Sequence, residues 1–137
     1  MYPKELVERI RKETSLLCDK ELLTTKDVDM AFQDDFFILF FNSVCGCTAR
    51  VVRPGLELTY DKFREFKIPV YSVFAGVELS ACESAREKIK GYPPSSPSVF
   101  VIRKRKVIFA LERHDLHSMT GDEMADKLVK FVEKNLG

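Results

Sequence analysis

No run of apolar residues in this chain reaches the roughly 20 that a helix needs to cross a bilayer. The start, Met1-Tyr2-Pro3-Lys4-Glu5, lacks the apolar core of a signal peptide. Histidine is scarce, with only two, and the four cysteines contain a single close pair. A zinc site ordinarily needs that pair matched by a second set of cysteines or histidines. Cys18 and Cys82 stand alone, and His114 and His117 have no third ligand spaced to join them, so no metal is expected and the histidines read as surface or capping residues. Neither sign of charge dominates: 22 Lys and Arg face 21 Asp and Glu, for a net +1. That balance argues against nucleic acid or a membrane as partner. The basic stretch Arg103-Lys104-Arg105-Lys106 has no interleaved aromatics and reads as a solvated turn. Internal repeats and low-complexity segments are absent as well. The 137 residues allow one domain with a full core, spanning 1–137, and leave too little for two. A cytoplasmic location is expected, and in that reducing compartment closely spaced cysteines are more often catalytic or metal-binding than structural.

What the chain does have is Asn42-Ser43-Val44-Cys45-Gly46-Cys47. The preceding run Phe36-Phe37-Ile38-Leu39-Phe40-Phe41 is short, aromatic and continuously apolar, as in a strand buried on both faces. Thr48 to Phe66 carries apolar residues at helical spacing. A strand-to-helix corner therefore delivers Cys45 and Cys47 to a helix start, where unpaired N–H groups and the macrodipole favour an anionic sulfur by about 0.3–1 kcal/mol. A Cys-X-Cys bridge closes only in a tight bend, which Gly46 would permit for lack of a Cβ. The small ring would be strained and easily reduced, which suits exchange better than a permanent staple. The thiol nearer the strand end and solvent is expected to attack. Cys82 falls on the apolar face of a helix with Leu79, Ala85, the Arg86 stem and Ile89, and reads as a core residue. Cys18 closes the first helix and is expected to be half-exposed.

The remaining elements follow from periodicity and breakers. A first helix is predicted from Pro3 to Cys18, and a second, capped at Thr24-Thr25-Lys26-Asp27, runs through Phe32. Pro54 should kink or break the cysteine helix. A second strand, Pro69 to Phe74, precedes a helix over Leu79–Lys90. Strands from Ser98 to Arg103 and Lys106 to Glu112 form a hairpin around Lys104-Arg105. A final helix spans Asp122 to Leu136 and stops at Gly137. Strand–helix–strand–helix–hairpin–helix joins a parallel unit to an antiparallel hairpin, with helices covering both faces. With cysteines at the first strand-to-helix corner and a proline before the hairpin, this predicts an α/β fold: a thioredoxin-like three-layer α/β/α sandwich with a mixed sheet and an N-terminal helical extension.

Several blocks together resemble the bacilliredoxins. They are Met1-Tyr2-Pro3 with Glu5-Leu6-Val7, Leu23-Thr24-Thr25, Val28-Asp29, Asn42 to Cys47, Arg53-Pro54, Val73-Phe74-Ala75-Gly76, Ala85-Arg86-Glu87, Ser95-Ser96-Pro97-Ser98 and Arg113-His114. The resemblance covers nearly the whole chain. It implies that Cys45 is the attacking thiolate and Cys47 the resolving thiol. It also implies that Pro97 is cis and faces the sulfurs, leaving the Ser96 backbone, with Gly46, to bind substrate. The implied activity is that of a thiol-disulfide oxidoreductase that removes bacillithiol, a small cytosolic thiol, from mixed disulfides on proteins. No cofactor is implied beyond that low-molecular-weight thiol as co-substrate, and the partners are proteins carrying mixed disulfides. A general disulfide isomerase or reductase is the alternative, as is a non-enzymatic redox-sensing module. The chain departs from the family pattern at Arg50, where a small residue is usual, at His117-Ser118, which replace an acidic-glycine pair, and at Lys104-Arg105, which replace Asp-Gly. None of these is expected to touch the two cysteines.

Overall fold

The computed structural model describes residues 2–136. Met1, and Gly137 with its reading as a helix stop, lie outside the described residues. The strands are β1 (Lys20–Glu21), β2 (Phe36–Asn42), β3 (Val70–Phe74), β4 (Ser98–Arg103) and β5 (Lys106–Leu111). They form one sheet in the order β1-β3-β2-β4-β5. β1, β3 and β2 run parallel, whereas β4 and β5 are antiparallel. The helices are α1 (Lys4–Ser15), α2 (Thr25–Ala31), α3 (Arg53–Phe66), α4 (Leu79–Lys88), α5 (Arg113–His117) and α6 (Gly121–Lys134), with a π-helical turn at Thr48–Val52 leading into α3.

β2 is the central strand, and its alternation supplies both layers of core. Ile38 and Phe40 point to one face, where Val51, Val52, Leu56, Phe63, Met124, Leu128 and Val132 from the turn, α3 and α6 cover them. Phe37, Leu39 and Phe41 point to the other, under Val28, Ala31 and Phe32 of α2 and Ala81, Cys82, Ala85 and Ile89 of α4. Five consecutive residues, Phe37 to Phe41, have no exposed surface. Each such side chain stabilises the fold by about 1.5–3 kcal/mol through burial. α3 and α6 approach closely because both carry glycine at the contact. A Cβ on Gly121 would lie 2.8 Å from Pro54 Cβ and 3.2 Å from the Gly55 nitrogen.

The sandwich, the mixed sheet and the hairpin agree with the sequence reading, and Cys82 is a core residue. Four points differ. The two-residue strand β1 was not predicted, because Lys20 and Glu21 carry no apolar pattern and become a strand only by pairing with Tyr71 and Ser72. The first helix ends at Ser15, so Cys18 lies beyond it, in the turn before β1. Leu79 is exposed rather than on the buried face of α4, where Ala81 sits instead. Pro54 neither kinks nor breaks an α-helix interior. It occupies the first turn of α3, where a missing N–H is tolerated, and the irregularity falls just before it, as the π turn whose Thr48 carbonyl accepts from the Arg53 N–H.

In the β4–β5 hairpin, Lys104 and Arg105 both have positive φ, 50° and 67°. That is the pattern of a type I′ turn, which usually recruits Asn and Gly. The Lys104 N–H also donates to the Asp35 carbonyl at 2.7 Å, tying the turn to the start of β2.

Candidate active site

The chain leaves β2 through a short corner held by a series of hydrogen bonds. The Asn42 amide donates from Nδ2 to Thr14 Oγ1 at 3.1 Å, and its Oδ1 accepts the Ser43 N–H at 2.9 Å. Ser43 Oγ then accepts the Cys45 N–H at 2.9 Å. The Cys45 carbonyl accepts from the Thr48 N–H at 3.0 Å, where the helical turn takes over. Thr14, Asn42 and Ser43 are all buried. The bonds among these buried groups hold the corner's geometry, because breaking one leaves a desolvated group unpaired.

This corner separates the two thiols by environment. Cys45 is half-buried, whereas the whole of Cys47 is only 4% exposed. All four cysteines carry free thiols. Gly46 between the pair does not have positive φ. A Cβ added to it would meet nothing within 4 Å, so it faces open space. The backbone freedom expected of Gly46 is thus not used while the thiols are apart.

Cys45 and Gly46 form one wall of a cavity of about 350 Å³, whose opposite wall is α1 with Leu6, Arg9, Ile10 and Glu13. Arg53 closes it and pairs with Glu13 at 2.9 Å. α1 is anchored over this end of the sheet by Arg11, which reaches Glu21 at 3.2 Å and Glu78 at 2.8 Å. Burial pushes the Glu21 carboxyl upward against the pull of Arg11. The helical extension thus supplies half of the cavity beside Cys45, which periodicity alone did not reveal.

The Ser96–Pro97 peptide is cis. Pro97 is buried and Ser96 half-buried. Phe41 pairs with Ser98, so this loop enters β4 alongside the residues that lead to Cys45. Arg86 braces the loop from α4: its guanidinium lies 4.2 Å from the centroid of the Phe41 ring and donates to the Ser95 carbonyl at 3.0 Å. Ser98 Oγ donates to the same carbonyl at 2.9 Å.

Two residues expected to stay clear of the cysteines do not. Arg50 Nη2 donates to Cys47 Sγ at 3.3 Å, and His117 Nδ1 lies 3.6 Å from the same sulfur. Arg50 could have been found, since i and i+3 share a helical face. His117 could not, because 70 residues separate it from Cys47 and only the packing of α5 against the π turn brings them together. His114 pairs instead with Asp115 at 3.4 Å on the exposed side of α5. Among the described residues no three His, Cys, Asp or Glu side chains come together to hold a metal ion.

The family described as disulphide isomerase matches residues 2–135. The chain is 37% identical to a bacilliredoxin of Salinibacter ruber, over 99% of this chain and 82% of that protein. It is 33% identical to a bacilliredoxin of Bacillus cereus, over 98% and 93% respectively. The chain belongs to the bacilliredoxin family. A solved structure described as having a thioredoxin fold superposes with a TM-score of 0.61 at 11% identity, covering 80% of this chain and 91% of that one. The mixed five-stranded sheet between two helical layers is therefore a thioredoxin-like fold. Membership of the bacilliredoxins carries a thiol–disulfide redox role with it. No helix among the described residues is long and apolar enough to cross a membrane.

Proposed function

We propose that this bacilliredoxin-family protein removes bacillithiol from S-bacillithiolated proteins in the cytoplasm, with Cys45 attacking and Cys47 resolving. The observation that carries the reading is the asymmetry of the pair: Cys45 borders the cavity, whereas Cys47 is buried behind it. The Cys45 thiolate attacks the bacillithiol sulfur of the mixed disulfide, and the substrate protein departs with its thiol reduced. Cys47 then displaces bacillithiol and leaves the Cys45–Cys47 disulfide, or a second bacillithiol displaces it and regenerates both thiols. Arg9, Glu13 and Arg53 around the cavity present both signs of charge to a small thiol. Ser96 and Pro97, with Gly46, would line the approach for the protein part of the substrate. The description of the family as disulphide isomerase keeps a second reading in view, exchange among ordinary protein disulfides.

Mass spectrometry of mixed disulfides trapped from cell extract on Cys47→Ala separates the two. Bacillithiol on Cys45 supports the first reading. Protein partners captured without any small thiol support the second.

A further inference from the structure

Cys47 is the most enclosed part of the thiol pair, yet its sulfur has two polar side chains on it from different elements. Arg50, on the π turn, has donors only, and it points Nη2 at Sγ from 3.3 Å. His117, on α5, brings Nδ1 to 3.6 Å. A neutral imidazole with its proton on Nε2 accepts at Nδ1, and in that tautomer the Cys47 S–H has an acceptor while the sulfur takes a hydrogen bond from Arg50. The His117 side chain belongs to an exposed residue, whereas Cys47 is buried. The imidazole thus links an enclosed thiol to solvent.

We propose that His117 is the proton acceptor for Cys47 in the resolving step, and that Arg50 positions the sulfur and stabilises its negative charge as it forms. The proposal rests on exchange at the Cys45–Cys47 pair. In the step, Cys47 Sγ passes its proton to His117 Nδ1 and attacks Cys45 Sγ. The bond between Cys45 and the departing thiol breaks, and its electron pair leaves on that thiol, which takes up a proton from the imidazolium or from water. One disulfide is consumed and one, Cys45–Cys47, is formed. Thiol and proton counts balance without any further reductant. The π turn serves this arrangement, because the wider turn at Thr48–Val52 is where Arg50 folds back onto Cys47.

The other ionisable groups on the elements packed here are few. Cys45 precedes the turn. On α5, His114 and Asp115 pair with each other and Arg113 is exposed. At the start of α6, Glu123 accepts from the Thr120 N–H at 3.0 Å and Asp122 is exposed. An ordinary thiol with a pKa of about 8.5 is about 3% ionised at pH 7, so a base can speed its attack by at most about 30-fold there and by almost nothing above about pH 9. That pH signature separates proton transfer from a merely structural role.

The test mixes the full-length reduced protein with one equivalent of the chromogenic disulfide 5,5′-dithiobis(2-nitrobenzoate) in a stopped-flow instrument. The first released thiolate reports attack by Cys45 and the second reports resolution by Cys47. In His117→Gln the first phase should be unchanged. The second should slow by about 10- to 30-fold near pH 7 and converge on the parent rate above about pH 9. Added imidazole should restore part of the loss, and Arg50→Gln should slow the second phase at every pH. An unchanged second phase in His117→Gln, or one slowed equally at all pH values, overturns the proposal. Peptide mass spectrometry of the quenched first phase keeps the two readings apart. An adduct on Cys45 that resolves at the parent rate in His117→Gln overturns only the role of His117, whereas no adduct on Cys45 in the parent overturns the exchange reading and this proposal with it.

Discussion

Asn42 and Thr14, 28 residues apart in sequence, meet through a buried 3.1 Å hydrogen bond that fastens the end of the central strand to the N-terminal helix. Thr14 passes its own hydroxyl proton back to the Ile10 carbonyl at 3.0 Å. Asn42 passes the other end of its amide forward to Ser43, and through Ser43 to Cys45. The thiol that faces the cavity and the helix that walls the cavity thus share one polar network. Asn42→Leu should therefore leave the Ser43 N–H without its acceptor and Thr14 Oγ1 without its donor. A loss of about 1–3 kcal/mol is expected from denaturant unfolding. Alkylation of Cys45 should also become less uniform, because α1 and the corner are no longer held in register. A variant as stable as the parent would show that the network merely accompanies the corner.

The hairpin at Lys104-Arg105 makes the opposite prediction. Both residues sit at positive φ, where a side chain crowds the backbone by about 1–2 kcal/mol relative to glycine. Neither side chain is buried, so nothing in the packing repays that strain. Lys104→Asn with Arg105→Gly should raise stability by about 1 kcal/mol, seen as a higher urea midpoint with the same slope. The Lys104 N–H bond to Asp35 survives the exchange because it belongs to the backbone. No gain, or a change of slope, would mean that the turn is not of this type in solution.

Cys18 gives a pH-dependent test outside the thiol pair. It is half-buried beyond α1 and its thiol is pushed up to about 12, by burial first and by the charges of Asp19 and Glu21 after that. A thiol raised on folding stays neutral in the native state while the unfolded chain ionises. Its contribution to stability is complete below the unfolded value and is lost as pH climbs from about 9 towards about 12. The parent should therefore lose more stability than Cys18→Ala between neutral pH and pH 10.5, measured as the shift in urea midpoint. In the same protein at mildly alkaline pH, iodoacetamide should label Cys45 well before Cys18 or Cys82.

The frame of the molecule was legible because its deciding residues carry the information themselves. Phe36 to Phe41, short, aromatic and continuously apolar, read as a strand buried on both faces, and Thr24 with Asp27 forms a reciprocal cap at the helix start the sequence marks. Lys20 and Glu21 carry no such information: their strand exists because β3 offers an edge. The same holds at the site. The corner that presents Cys45 was visible in Asn42 to Cys47, but the partners of Cys47 were not. Arg50 lay within reach of a helical-face argument, and His117 is delivered by a helix of five residues that no periodicity marks. The cavity wall supplied by α1 was hidden for the same reason, since it depends on the ion pairs of Arg11 and Glu13 rather than on local pattern.

The order of the two sulfurs can be read from which variant becomes trapped. Cys45 borders the cavity and Cys47 does not, so a disulfide too large to enter the core meets Cys45 first. Once an adduct sits on Cys45, Cys47 is one residue away and Gly46 between them imposes no side chain on the bend that closes the ring. Removing Cys47 should strand the adduct, whereas removing Cys45 leaves only an enclosed sulfur that the substrate cannot reach. Incubating Cys47→Ala with a protein bearing a bacillithiol adduct should transfer bacillithiol to Cys45, detected as the added mass on that peptide, while Cys45→Ala should carry none. Equal labelling of Cys47 in Cys45→Ala would reverse the assigned order. If neither variant takes bacillithiol but both react with ordinary protein disulfides, exchange among protein disulfides is the better reading, and the charged cavity beside Cys45 then serves a peptide rather than a small thiol.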